Sequence, residues 1–216
     1  MTTEIFTALK KVGVLPVINI KNSDYEKTLM SALGHTDIKC LEVTLRSDYS
    51  MDAIKNIKKA FPDYYVGAGT VMNKYNMEKA LECGADFIVS PGFDKGLVCE
   101  CIKNKVPVIP GCSTPTEIMA AVNEGCTTVK FFPAELSGGI SALKLYAGAF
   151  SGISFVPTGG INAQNIIEYF KCTNVLACGG SFMASEKMLM SGDIEGIVGL
   201  CNKFADVYLN ERKNIQ

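Results

Sequence analysis

Lys130 stands inside an apolar run, Thr128-Val129-Lys130-Phe131-Phe132-Pro133, that otherwise reads as a buried strand. A lysine there must be paired or lose its charge. Burial lowers a lysine's pKa, and a neutral amine is a nucleophile toward carbonyl carbon. Attack on a ketone gives a Schiff base, an electron sink that needs no metal. A second run, Glu42-Val43-Thr44-Leu45-Arg46, carries an acid and an arginine. Side chains alternate along a strand, so Leu41, Val43 and Leu45 share one face and Glu42, Thr44 and Arg46 the other. A carboxylate beside an amine can shuttle protons. A planar guanidinium recognises carboxylate or phosphate with two parallel hydrogen bonds. Two readings of Lys130 follow, a structural ion pair or a nucleophile, and what surrounds it decides between them.

The elements that must position these residues recur along the chain. Short β-rich runs fall at Val14–Ile18, Cys40–Leu45, Tyr65–Ala68, Phe87–Ser90, Val106–Ile109, Thr128–Phe132, Ile153–Pro157 and Val175–Cys178. The gaps between them read as helices. Met51, Ile54 and Ile57 share one helical face, as do Met77, Ala80 and Leu81. Thr114-Pro115-Thr116-Glu117 is a helix start, with Thr114 as N-cap, Pro115 in the first turn and Glu117 closing a capping box. Asn162 is placed to cap a helix holding Ile166, Ile167 and Phe170.

Eight alternations of strand and helix predict an α/β fold, a (β/α)8 TIM barrel with an N-terminal capping helix over the first dozen residues. An open doubly wound sheet is the alternative. No linker divides the chain, so residues 1–216 read as a single domain. In a closed barrel the helices cover the outer face, which turns Leu41 and Val43 outward and Glu42, Thr44 and Arg46 inward. The chemistry of such barrels sits at the C-terminal strand ends, and the loops after strands seven and eight form a recurrent phosphate site. Those loops are Gly159-Gly160 and Gly179-Gly180-Ser181. Glycine lets backbone N–H groups approach an anion's oxygens. The constellation is a lysine, a carboxylate, an arginine and a phosphate cradle, which suits a substrate with a keto-acid at one end and phosphate at the other.

Composition narrows the class further. Hydrophobic residues make up 48% of the 216, enough for a sizeable core, and the formal net charge of −1 offers no basic patch for nucleic acid. No apolar run approaches the roughly 20 residues of a membrane span. The start lacks the pattern of a signal peptide. Nine scattered cysteines suit a reducing compartment, so the reading is cytoplasmic. His35 is the only histidine, which leaves no histidine triad and no His-rich metal site. Neither a metal nor a cofactor is expected.

The segments LEVTLRS at 41–47, VGAGTV at 66–71, SPG at 90–92, IPG at 109–111, VKFFPAE at 129–135, VPTGGI at 156–161 and GGS at 179–181 resemble the bacterial 2-keto-3-deoxy-6-phosphogluconate (KDPG) aldolases. That family is also known as 4-hydroxy-2-oxoglutarate (KHG) aldolase. The resemblance runs in order along the expected strands, from the second to the eighth, and VKFFPAE with LEVTLR is its most specific part. It implies Lys130 as the Schiff-base lysine and Glu42 as the acid/base. It implies Arg46 and Thr70 at the pyruvate carboxylate, with Pro91 and Phe132 lining the pyruvyl pocket. Thr158 would meet the hydroxylated carbons and influence stereochemical choice. Gly159, Gly160, Gly180 and Ser181 would bind phosphate. The implied reaction is reversible cleavage of KDPG to pyruvate and glyceraldehyde 3-phosphate, a step of the Entner–Doudoroff pathway, with KHG as a secondary substrate. A homotrimer is the implied assembly. Asn19 stands at the end of strand one, where some relatives carry arginine, so no extra anion contact is expected there. The competing readings are an aldolase for the galactonate epimer, a phosphosugar isomerase or epimerase on the same fold, and a non-catalytic sugar-phosphate binder.

Overall fold

The structure is a computed structural model that describes residues 2–214. It is an α/β fold whose parallel strands form a curled sheet flanked by helices. The strands are β1 (Val14–Ile18), β2 (Cys40–Thr44), β3 (Tyr65–Gly69), β4 (Phe87–Val89), β5 (Val108–Ile109), β6 (Gly111–Cys112), β7 (Thr128–Phe131), β8 (Ser154–Pro157) and β9 (Cys178–Gly180). One sheet has the order β5-β4-β3-β2-β1-β9 and a second the order β6-β7-β8. Parallel bridges Phe155↔Val175 and Thr158↔Gly179 link β8 to the segment leading through β9. On the other side, the Lys130 N–H donates to the Pro110 carbonyl at 2.9 Å, tying β7 to the chain between β5 and β6.

The helices are α1 (Thr2–Val12), α2 (Ser23–Leu33), α3 (Ser50–Ala60), α4 (Lys74–Glu82), α5 (Lys95–Lys103), α6 (Pro115–Asn123), α7 (Gly139–Ala149), α8 (Ile166–Phe170), α9 (Glu186–Ser191) and α10 (Ile194–Lys213). Ile54 and Ile57 of α3 and Met77 and Ala80 of α4 lie in one apolar cluster with Leu41 and Val43, as the alternation requires. A second cluster lines the opposite face of the sheet. It joins Ile5 and Leu9 of α1 to Leu15, Cys40, Phe87, Val89, Ile109 and Val156. Phe87 reaches across β3 because residue 67 is glycine; a Cβ there would lie 2.3 Å from its ring.

Helix α6 starts as its sequence dictates. Thr114 Oγ1 accepts from the Glu117 N–H, Glu117 returns the bond to the Thr114 N–H, and Pro115 occupies the first turn. Three of the expected boundaries shift by more than one residue. Strand five, expected over Val106–Ile109, splits into β5 and β6 because Pro110 has no N–H for the ladder. The last strand, expected at Val175–Cys178, is Cys178–Gly180. Gly179 belongs to the ladder through its pairing with Leu15 of β1, and the Thr158 side chain occupies the space that a Cβ there would fill. The helix expected to start at Asn162 starts at Ile166. Asn162 Oδ1 accepts from the Gln164 N–H and builds the preceding turn instead. Among the described residues no helix is long and apolar enough to cross a membrane.

Candidate active site

Glu42 sits on β2 beside Val17 of β1 and Gly67 of β3, whereas Lys130 sits on β7 between Gly111 and Val156. These strands are far apart in sheet order, yet Lys130 Nζ donates to Glu42 Oε1 at 3.2 Å. The side chains are 8% and 1% exposed, so the pair is almost dry. Glu42 Oε2 is buried with no hydrogen-bond partner among the described residues. A buried carboxylate oxygen without a donor is costly. Here it marks where a hydroxyl or a water would bond.

Glycine shapes this centre as much as the charged residues do. A Cβ on Gly69 would stand 2.1 Å from Glu42 Oε1, and one on Gly111 2.3 Å from the Pro91 carbonyl oxygen. Glu42 can cross to Lys130 only because β3 has no side chain at that point. Gly69→Ala should therefore lower turnover by about 100-fold, the cost of an ångström-scale misplacement. Steady-state rates beside a thermal melt would check it; wild-type turnover in a folded Gly69→Ala protein would show that the carboxylate's position is immaterial.

The remaining strand-end residues gather at the same end of the sheet. The Lys130 ammonium lies 5.3 Å from the centroid of the Phe132 ring. That ring also abuts Gly159, where a Cβ would stand 3.2 Å away. Thr158 is buried and its hydroxyl donates to the Val156 carbonyl at 3.3 Å. Pro91 lines a cavity of about 190 Å³ with Val71, Met72, Ser90 and Phe93. The bridge Thr158↔Gly179 sets the Gly159-Gly160 turn beside Gly180 and the exposed Ser181. Arg46 is exposed, on a turn pinned by the Ser50 hydroxyl to the Thr44 carbonyl at 2.9 Å and by Ser47 to the Ile20 carbonyl. Its guanidinium makes no hydrogen bond or ion pair among the described residues, so the structure sets it at the rim and not against Glu42 or Lys130.

Thr70 has φ = 61°, the left-handed region that a β-branched residue rarely adopts. Such strain costs about 1–3 kcal/mol and persists where the surroundings demand it. Thr70→Gly should stabilise the fold by about 1 kcal/mol, after glycine's own entropy cost, while slowing turnover. A urea titration and rate assay on one preparation would test this. Unchanged stability would show that residue 70 is not strained.

Three features escaped the sequence reading. The space at Gly69 and Gly179 serves neighbouring side chains, not turns. Asn19 follows β1 with the inward parity of Leu15 and Val17, and its Oδ1 is buried without a partner among the described residues. Glu135, read only as part of a motif, accepts a hydrogen bond from the hydroxyl of the buried Tyr169. Burial first, and that bond second, push the Tyr169 phenol well above its ordinary pKa.

The model of the KDPG and KHG aldolase family matches residues 5–200. The 2-dehydro-3-deoxy-phosphogluconate aldolase of Treponema pallidum is 40% identical over 196 residues, 91% of this chain and 93% of that one. The KHG/KDPG aldolase of Escherichia coli K12 is 40% identical over 190 residues, 88% and 89% of the two chains. Among solved structures, the KDPG aldolase from Legionella pneumophila has a TM-score of 0.89 at 36% identity, over 92% of this chain and 97% of its own. That protein holds pyruvate captured at low pH as a covalent carbinolamine intermediate. With the match spanning nearly the whole length, the chain belongs to the KDPG and KHG aldolase family.

Proposed function

We propose that Lys130 is the Schiff-base nucleophile of a class I aldolase and Glu42 its proton shuttle. The observation that carries this is the buried contact of Lys130 Nζ with Glu42 Oε1 at 3.2 Å. The chain is an aldolase, a carbon–carbon lyase, and its reaction is the reversible cleavage of KDPG to pyruvate and D-glyceraldehyde 3-phosphate, with KHG cleavage as a side activity. The Lys130 amine adds to the C2 ketone, giving a carbinolamine that loses water to an iminium. Electrons of the C3–C4 bond flow into that iminium as Glu42 removes the C4 hydroxyl proton. The aldehyde leaves, an enamine remains, and protonation at C3 followed by hydrolysis returns the amine and releases pyruvate. The covalent pyruvate adduct in the Legionella relative supports this order of events.

On the same reading Arg46 and Thr70 hold the substrate carboxylate, and Pro91 and Phe132 wall the pyruvyl group. Thr158 meets the hydroxylated carbons. Gly159, Gly160, Gly180 and Ser181 take the phosphate; the Gly160 N–H has no hydrogen-bond partner among the described residues. The strands are read as a closed (β/α)8 barrel, one domain over 1–216, with α1 capping the bottom through Ile5 and Leu9. A homotrimer working in the cytoplasm is the corresponding assembly. Borohydride reduction with pyruvate, followed by peptide mass mapping, tests the core of this reading. The expected result is one reduced adduct, on Lys130. An adduct on another lysine, or none on folded protein, overturns it.

A further inference from the structure

The Gly159-Gly160 turn is held from outside by a ring of contacts. The Glu135 N–H donates to the Gly159 carbonyl at 3.1 Å, and the Ala134 N–H to the Thr158 carbonyl at 2.8 Å. The Glu135 stem lies flat on the turn, since a Cβ on Gly160 would meet its Cγ at 2.5 Å and its Cβ at 2.7 Å. Gly159 and Gly160 have φ of 92° and 85°, so both the left-handed backbone and the space call for glycine. The carboxylate of Glu135 accepts from the Tyr169 hydroxyl. Tyr169 belongs to α8, the helix that follows this same turn. Between them, Asn162 Nδ2 and Asn165 Nδ2 each donate to the Gly160 carbonyl at 3.0 Å. That carbonyl is thereby engaged, and the Gly160 N–H is left without a partner among the described residues. The circuit runs from the turn to α8, from α8 through Tyr169 to Glu135, and from Glu135 back to the turn.

We propose that Glu135 and Tyr169 are positioning residues for the phosphate end of the substrate, acting through the Gly159-Gly160 turn. The inference rests on the reading of that turn as the phosphate cradle. Glu135 is itself anionic, so an oxygen engaged by Tyr169 and turned onto the protein is compatible with a phosphate nearby, whereas a free carboxylate swinging over the turn would repel it. The pair thus both fixes the turn and keeps its charge directed away from the anion.

The discriminating measurement compares KDPG with the phosphate-free substrate 4-hydroxy-2-oxoglutarate in Tyr169→Phe, Glu135→Ala and Glu135→Gln. Tyr169→Phe removes one hydroxyl from a buried ring, and Glu135 is exposed, so neither change opens a large cavity. For the first two variants, KM for KDPG should rise at least about 10-fold. The inhibition constant of inorganic phosphate should rise in parallel. Both kcat and KM for 4-hydroxy-2-oxoglutarate should stay within about twofold of wild type on the same principle. Glu135→Gln keeps the stem and an acceptor oxygen and should restore most of the loss. Equal losses with both substrates would reduce the pair to a general structural contact and overturn the proposal, as would no loss with either. Failure of phosphate to compete in the wild-type enzyme would instead remove the cradle, and the proposal with it.

Discussion

The Lys130→Met protein is expected to fold and to release pyruvate from KDPG at least about 10⁴-fold more slowly than wild type, as loss of a covalent nucleophile does elsewhere. Methionine is unbranched and close in length to the lysine stem, so it fills the same space between Gly111 and Val156. It cannot form the iminium, and without that electron sink the C3–C4 bond has nowhere to send its electrons. Residual turnover within about tenfold of wild type would remove Lys130 from the covalent role.

The same variant carries a second expected result, in stability. Glu42 Oε2 already lacks a partner among the described residues, and Lys130 is the donor to Oε1. Removing one member of a buried pair leaves the other charge uncompensated, typically at about 3–5 kcal/mol. Adding Glu42→Gln to Lys130→Met removes the stranded charge and should recover most of that loss without restoring activity. A double-mutant cycle by urea unfolding measures it. Additive losses would mean that the two residues do not interact as the 3.2 Å contact requires.

The sequence carried the strand rhythm because each strand buries both faces or shows a strict alternation. Leu41 and Val43 against the helices and Glu42 and Thr44 on the other face followed from parity alone. The capping box at Thr114 was equally legible, since its chemistry is local. What failed to show in the sequence depends on residues distant along the chain. Gly179 read as a loop glycine and Gly69 only as part of a strand-end motif, but their lack of a side chain serves Thr158 and Glu42, and only the folded sheet sets these beside each other. Pro110 splitting a strand and Asn162 yielding the helix start to Ile166 are boundary effects decided by a neighbour's hydrogen bonds. The separation of 88 residues between Lys130 and Glu42 hid their contact distance. Glu135 and Tyr169 lie 34 residues apart and carry no pattern of their own, so their pairing was visible only in the fold.

Glu42→Gln should separate proton transfer from covalent capture. Glutamine has the shape of glutamate, so it fits the gap at Gly69 and can still present an oxygen to Lys130. Pyruvate should therefore still be trapped on Lys130 by borohydride. The amide cannot accept a proton, and the loss of a positioned acid/base costs about 10²–10⁴-fold. The loss should appear both in KDPG cleavage and in deuterium exchange at the pyruvate methyl, because the first takes a proton from the C4 hydroxyl and the second moves one at C3, the carbon next to the iminium. Among the described residues Glu42 is the acid in contact with Lys130, and its unpaired Oε2 is the acceptor left open for that proton. If methyl exchange runs at the wild-type rate while trapping persists, another group moves the proton, and the carboxylate serves only to hold the lysine. If trapping and exchange fall together, Glu42 acts before the iminium forms, by setting the lysine's reactivity rather than by moving protons afterwards.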